Sequence, residues 1–128
     1  MYNNLTITSI LGALTIVLGA FGAHALKEIL TIDQMNSFET AVRYQMYHVI
    51  VLLFVNTYTG FSDKKRKQIS GLFFAGIILF SGSIYSIQLT DITAKSIWFV
   101  TPLGGLLFVI GWIFMALSFL KNKSTINS

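Results

Sequence analysis

Four long apolar stretches, at about 5–26, 41–60, 69–89 and 97–120, constrain this chain more than any other feature. A helix needs about 20 mostly apolar residues to cross the hydrocarbon core of a bilayer. Each stretch has that length. In hydrocarbon every backbone N–H and C=O must be satisfied internally, which leaves helices and closed barrels as the only spanning structures. Strands of a barrel are about half as long as these stretches. The expected fold is therefore an all-α membrane protein: a four-transmembrane-helix bundle forming a single domain over residues 1–128.

Composition agrees. Hydrophobic residues make up 54% and charged residues 11% of the chain, against about 25% charged in soluble domains. The net charge of +4 does not point to nucleic acid. Its densest part is the run Lys64-Lys65-Arg66-Lys67, set between two apolar stretches. Such a run sets membrane orientation and attracts anionic lipid. The chain has no cysteine, which excludes disulfides and thiol chemistry.

The connections carry the orientation. The basic run and the tail residues Lys121 and Lys123 lie at one end of the expected bundle, whereas Lys27, Arg43 and Lys95 lie at the other. The richer end is expected in the cytoplasm, together with both termini. Residues 27–40 mix charged and apolar side chains, as an interfacial segment does, and Asp33 is a candidate cap for the second helix. The tail from Lys121 is polar and expected to fray. Ala23-His24-Ala25 resembles a signal-peptide cleavage site, but residues 1–8 hold no Lys or Arg, so the first stretch is expected to stay as a span.

Polar residues collect in the expected outer half. His24 ends the first span, and Arg43, Tyr44, Tyr47 and His48 open the second alongside Gln45. Ser81, Ser83 and Tyr85 lie late in the third. Polar groups at membrane depth usually face the protein interior and often serve function, so these eight, without Gln45, form the candidate site. The inner half is expected to be apolar apart from scattered Asn56, Thr57 and Trp112. In the fourth span Pro102, followed by Gly104 and Gly105, is expected to break the helix. Small residues at Gly12, Gly19, Gly82, Ser86, Gly111 and Ser118 are expected to be packing positions, with Gly104, Gly111 and Ser118 spaced seven apart on the fourth span, since helices in lipid associate through close backbone approach.

Catalytic motifs are missing from the sequence. It has no phosphate-binding loop, dinucleotide fingerprint, HExxH or GxSxG. His24 and His48 lack the spacing of a metal or haem pair, so no metal and no cofactor is expected.

Five blocks carry a family resemblance: Gly19-Ala20-Phe21-Gly22-Ala23-His24-Ala25-Leu26, Tyr44-Gln45-Met46-Tyr47-His48, Phe80-Ser81-Gly82-Ser83-Ile84-Tyr85, Thr101-Pro102-Leu103-Gly104-Gly105 and Gly111-Trp112. In this order they resemble the YgdD/YwdK-type small membrane proteins, domain-of-unknown-function family four-twenty-three. The resemblance implies a multi-pass protein of the bacterial inner (plasma) membrane and supplies no catalytic residues. The expected function is that of a non-enzymatic membrane component. It would partner the lipid bilayer and assemble through its helices as a homo-oligomer or with another membrane protein. The alternative is a small oligomeric transporter or channel with a polar outer-half cavity.

Overall fold

The computed structural model describes the backbone of residues 1–126 and side chains as far as Lys121. It consists of four helices: α1 (Tyr2–His24), α2 (Ile32–Thr57), α3 (Asp63–Leu89) and α4 (Val100–Ile126), with a 3-10 turn at Leu26–Glu28. Consecutive helices are joined by short connections and pack in order, α1 on α2, α2 on α3, α3 on α4. We call the end holding both termini and the α2–α3 turn the terminal end, and the other end distal.

Local chemistry sets the starts of α2 and α3 earlier than hydropathy does. Thr31, not Asp33, caps α2. Its hydroxyl accepts from the Gln34 amide N–H at 3.3 Å, and the Gln34 side-chain oxygen accepts from the Thr31 N–H at 2.9 Å. This reciprocal box begins the helix at Ile32, so residues 32–40 of the mixed segment expected at the interface are the first turns of α2, and Lys27 and Glu28 lie in the 3-10 turn before it. Its burial then follows helical spacing: Phe38, Ala41, Gln45, His48, Leu52, Val55 and Asn56 face inward.

Ser62 caps α3 by accepting from the Lys65 N–H at 3.4 Å. The basic run expected as a loop is thus the first turn of α3. Cations there oppose the helix dipole, and one of them turns away. Arg66 is only 11% exposed, pairs with Asp63, and donates to the carbonyls of Tyr58 and Phe61 at 3.3 and 3.2 Å. Its charge sits where the C-terminus of α2 favours a cation, and it ties the α2–α3 turn together.

The expected break in α4 is absent. Helix α4 begins at Val100, so Pro102 lies in its first turn, where the missing N–H is not needed. The helix continues unbroken past Gly104 and Gly105 and runs on to Ile126, beyond the end expected at Leu120. The side chains of the polar tail after Lys121, Lys123 among them, lie outside the described residues.

Gly104 has a different use. A Cβ built on it would lie 2.3 Å from the Phe80 backbone nitrogen, so the α3 and α4 backbones touch there. Seven residues along, a Cβ on Gly111 would lie 2.9 Å from the Phe73 ring, itself seven residues back along α3. Seven further, Ser118 is 2% exposed. This spacing is that of an antiparallel left-handed pair. On α1, a Cβ on Gly12 would lie 3.4 Å from Val49 of α2, and one on Gly19 3.5 Å from Val42. Gly82 meets nothing within 4 Å, so the Gly82–Ser86 pair is not a close contact between helices.

Helices α1, α3 and α4 are each long and apolar enough to cross a membrane. Their outward residues are mostly apolar, among them Ile10, Ile16, Val17, Ile78, Leu106, Val109 and Ile113. Helix α2 has 26 residues but is too polar by composition to qualify with them.

Candidate functional site

The buried stripe of α2 organises the polar interior. Gln45 is 2% exposed. Its amide nitrogen donates to the Leu11 carbonyl of α1 at 3.1 Å, and its amide oxygen accepts from the Tyr85 hydroxyl of α3 at 2.7 Å. One side chain therefore joins three helices. The Leu11 carbonyl also accepts from Thr15 at 2.7 Å. One turn earlier on α2, the Ala41 carbonyl accepts from Ser81 of α3 at 2.7 Å.

His48, one turn further, reaches α4. Its Nδ1 lies 2.7 Å from the Tyr44 carbonyl, and its Nε2 lies 3.2 Å from Nε1 of Trp112. The indole nitrogen can only donate, so Nε2 accepts and Nδ1 carries the proton. The neutral Nδ1–H tautomer alone satisfies both bonds. The imidazole also stacks on Phe108, with centroids 3.6 Å apart and planes 6° apart. Ser83 and Thr101 join α3 to α4 through their hydroxyls.

A second polar cluster lies about 16 Å away toward the terminal end, eleven residues along α2. Asn56 is fully buried. Its amide nitrogen donates to the Leu52 carbonyl and to the Ser70 hydroxyl, both at 2.9 Å, and its oxygen accepts from the Asn4 amide at 3.0 Å. Again one α2 side chain connects α1 and α3. The terminal half is therefore not simply apolar.

The eight candidate residues separate into two groups. His48, Ser81, Ser83 and Tyr85 take part in the interior bonds just described. The other four lie on the outside. His24 is exposed at the end of α1. Arg43 is exposed, 3.9 Å from Glu39 and 3.1 Å from the Thr40 hydroxyl. Tyr44 and Tyr47 are exposed with ring centroids 5.8 Å apart. Sequence reasoning left out Gln45, Asn56, Ser70, Asn4 and Trp112 as site members. The signal for the first two was the spacing of Ala41, Gln45, His48, Leu52 and Asn56, one helical face. Asn4 and Trp112 carry no comparable pattern.

Four of the five sequence blocks also meet. Tyr44 packs on Phe80 at 5.0 Å, Gln45 bonds to Tyr85, Ser83 to Thr101 and His48 to Trp112, and Gly104 touches the backbone of Phe80. In the first block, Gly22 fits against the Phe38 ring.

An apolar exterior around hydrogen bonds that link helix to helix defines an integral, multi-pass membrane protein of the all-α class. The chain belongs to the family described as protein of unknown function (DUF423), whose model matches residues 18–105. A UPF0382 membrane protein of Staphylococcus aureus is 41% identical over 116 residues, covering 88% of this chain and 93% of the relative. One from Staphylococcus epidermidis is 40% identical over the same coverage. One from Haemophilus influenzae is 38% identical over 121 residues, covering 94% of this chain and 95% of the relative. No solved structure matches.

Proposed function

We propose that the chain is a non-enzymatic, four-span component of the cell membrane that assembles through its helices, with both termini in the cytoplasm. The observation that carries the non-enzymatic reading is the use of the interior polar groups. Gln45, Tyr85, His48, Ser81 and Asn56 are each hydrogen-bonded to a neighbouring helix. They fix helix register and are not presented to a substrate. The same pairing weighs against a solute pathway through the bundle.

Helix α2 completes the four spans. It is about 39 Å long and lies between two helices that qualify as spans. Its polar stripe is turned inward, and Ile50, Leu53 and Phe54 face outward. Its charged residues Asp33, Glu39 and Arg43 all lie toward the distal end, where an exposed Arg can reach the headgroups. The Lys-rich terminal end supports a cytoplasmic placement of both termini.

Assembly is supported by a cleft of about 490 Å³ beside α1, floored by Thr15, Gly19 and Ala20 and walled by Val42 and Met46. Small residues of this kind let a further helix approach closely. The chain is cysteine-free, so single cysteines report contacts directly. Ala20→Cys should cross-link between copies or to a partner in native membranes, whereas Ile78→Cys on the α3 face should not. Full chains that never cross-link at Ala20 and run as single copies in nanodiscs would remove the assembly reading.

A further inference from the structure

A second cleft runs along the outside of α3 and α4, starting at the terminal end. Its mouth, of about 480 Å³, is lined by Lys64, Lys65, Gln68 and Lys121 with Phe114 and Leu117. A deeper part, of about 470 Å³, is lined by Lys67, Gly71, Leu72, Ala75 and Ile110. Gln68 and Phe114 belong to both parts, so the two are continuous.

The lining is two helical stripes. On α3 it is Lys64, Gln68, Gly71 and Ala75, at steps of four, three and four. On α4 it is Ile110, Phe114, Leu117 and Lys121, at steps of four, three and four. The helices are antiparallel, so both stripes put lysine at the same end and small or apolar residues below it. From Lys64 to Ala75 the groove descends about 16 Å, the depth of one leaflet of an approximately 30 Å hydrocarbon core. Gly71 forms the floor midway, with nothing within 4 Å of where a Cβ would stand.

We propose that this groove binds one anionic glycerophospholipid of the surrounding bilayer. The phosphate lies among Lys64, Lys65 and Lys121, and an acyl chain lies over Gly71 and Ala75 against Ile110 and Phe114. Charge selects this occupant. A second copy related by an axis along the membrane normal would bring lysines against lysines. The acidic residue nearest the mouth, Asp63, is engaged by Arg66 and is not part of the lining. The groove offers cations at headgroup level and hydrocarbon beneath, which is the pattern of a phospholipid with a net negative headgroup.

The test is native mass spectrometry of the full chain in detergent, titrated with phosphatidylglycerol or with phosphatidylcholine of the same acyl chains. One phosphatidylglycerol per chain should be retained in clear preference to phosphatidylcholine. The double variant Lys64→Ala/Lys121→Ala should weaken phosphatidylglycerol by more than about tenfold, taking roughly fivefold per lysine near an anionic surface. Gly71→Leu keeps every lysine and enters open space, so it should fold and still weaken binding by blocking the chain. Lys27→Ala/Lys95→Ala at the distal end should leave binding unchanged. Equal retention of the two lipids would overturn the proposal. So would full binding by Gly71→Leu, or an equal loss in the distal-end variant.

Discussion

Helix α2 is joined to its neighbours by side-chain hydrogen bonds, whereas α3 and α4 meet through backbone contact and rings packed edge-on or tilted. Gln45 and Asn56 each connect α2 to both α1 and α3. Between α3 and α4 the Ser83 and Thr101 hydroxyls bond at the distal end, while Gly104 lies against the Phe80 backbone and Gly111 against the Phe73 ring. Lipid gives no hydrophobic drive to bring helices together. The two pairings are two solutions to that problem. One leaves polar groups that can be satisfied only by the correct neighbour. The other gains dispersion energy by bringing backbones close, which any added side chain spoils.

The difference predicts unequal tolerance. The largest effect should follow Gly104→Leu. The new side chain would begin 2.3 Å from the Phe80 nitrogen, and backbone cannot rotate aside as a side chain can. The helices must separate along the whole seam, at a cost of about 3 kcal/mol or more. Thermal unfolding in detergent followed by circular dichroism should show a bundle that melts much earlier. A near-normal melt would mean that the seam is loose.

Next come the hydrogen-bonded joints. Asn56→Leu strands the Asn4 amide and the Ser70 hydroxyl, and Gln45→Leu strands the Tyr85 hydroxyl. Interhelical bonds in membranes contribute about 0.6 kcal/mol on average and up to about 1.7, so each variant should lose about 1–2 kcal/mol. A double-mutant cycle on Gln45→Leu and Tyr85→Phe isolates one bond. Zero coupling there would show that the 2.7 Å contact orients Tyr85 without stabilising the bundle.

These two kinds of joint were not equally legible in the sequence. Spacing on α4 revealed the seam of Gly104, Gly111 and Ser118, because small residues every seventh position have few other reasons to recur. What spacing could not reveal was the face each glycine meets. Gly82 and Ser86, four apart on α3, also read as packing positions, yet a Cβ on Gly82 would meet open space. Pro102 read as a break because hydropathy began the span at 97, whereas the helix begins at Val100 and the ring falls in its first turn. Hydropathy likewise missed the first two turns of α2, whose start depends on the Thr31–Gln34 box. The polar layer of the distal half was visible, yet depth alone does not separate inward His48 from outward Tyr47, its neighbour in sequence. That distinction requires the helical phase of α2, set by Ala41, Gln45 and Leu52.

His48 belongs to both kinds of joint, and it sharpens the comparison. His48→Phe keeps a ring to stack on Phe108 and removes the acceptor for Trp112. The expected loss is about 0.5–1 kcal/mol, smaller than that for Asn56→Leu. Trp112 fluorescence should change as its indole N–H loses a fixed partner. Trp98 is 73% exposed in the α3–α4 connection and contributes a separate signal, which Trp98→Phe removes. An unchanged Trp112 spectrum would place the energy of this joint in the stack alone.

The smallest effect should come from Gly82→Ala. The added methyl meets nothing within 4 Å, and Gly82 sits well inside the continuous helix α3. Alanine favours a helix over glycine by up to about 1 kcal/mol, so stability should stay level or rise slightly. Gly104→Ala is the matched control, with the same methyl placed against the Phe80 backbone. If glycine matters on α3 and α4 only where backbones touch, Gly104→Ala must lower the melting temperature and Gly82→Ala must not. A destabilised Gly82→Ala would mean that this face of α3 is covered in the membrane by another helix.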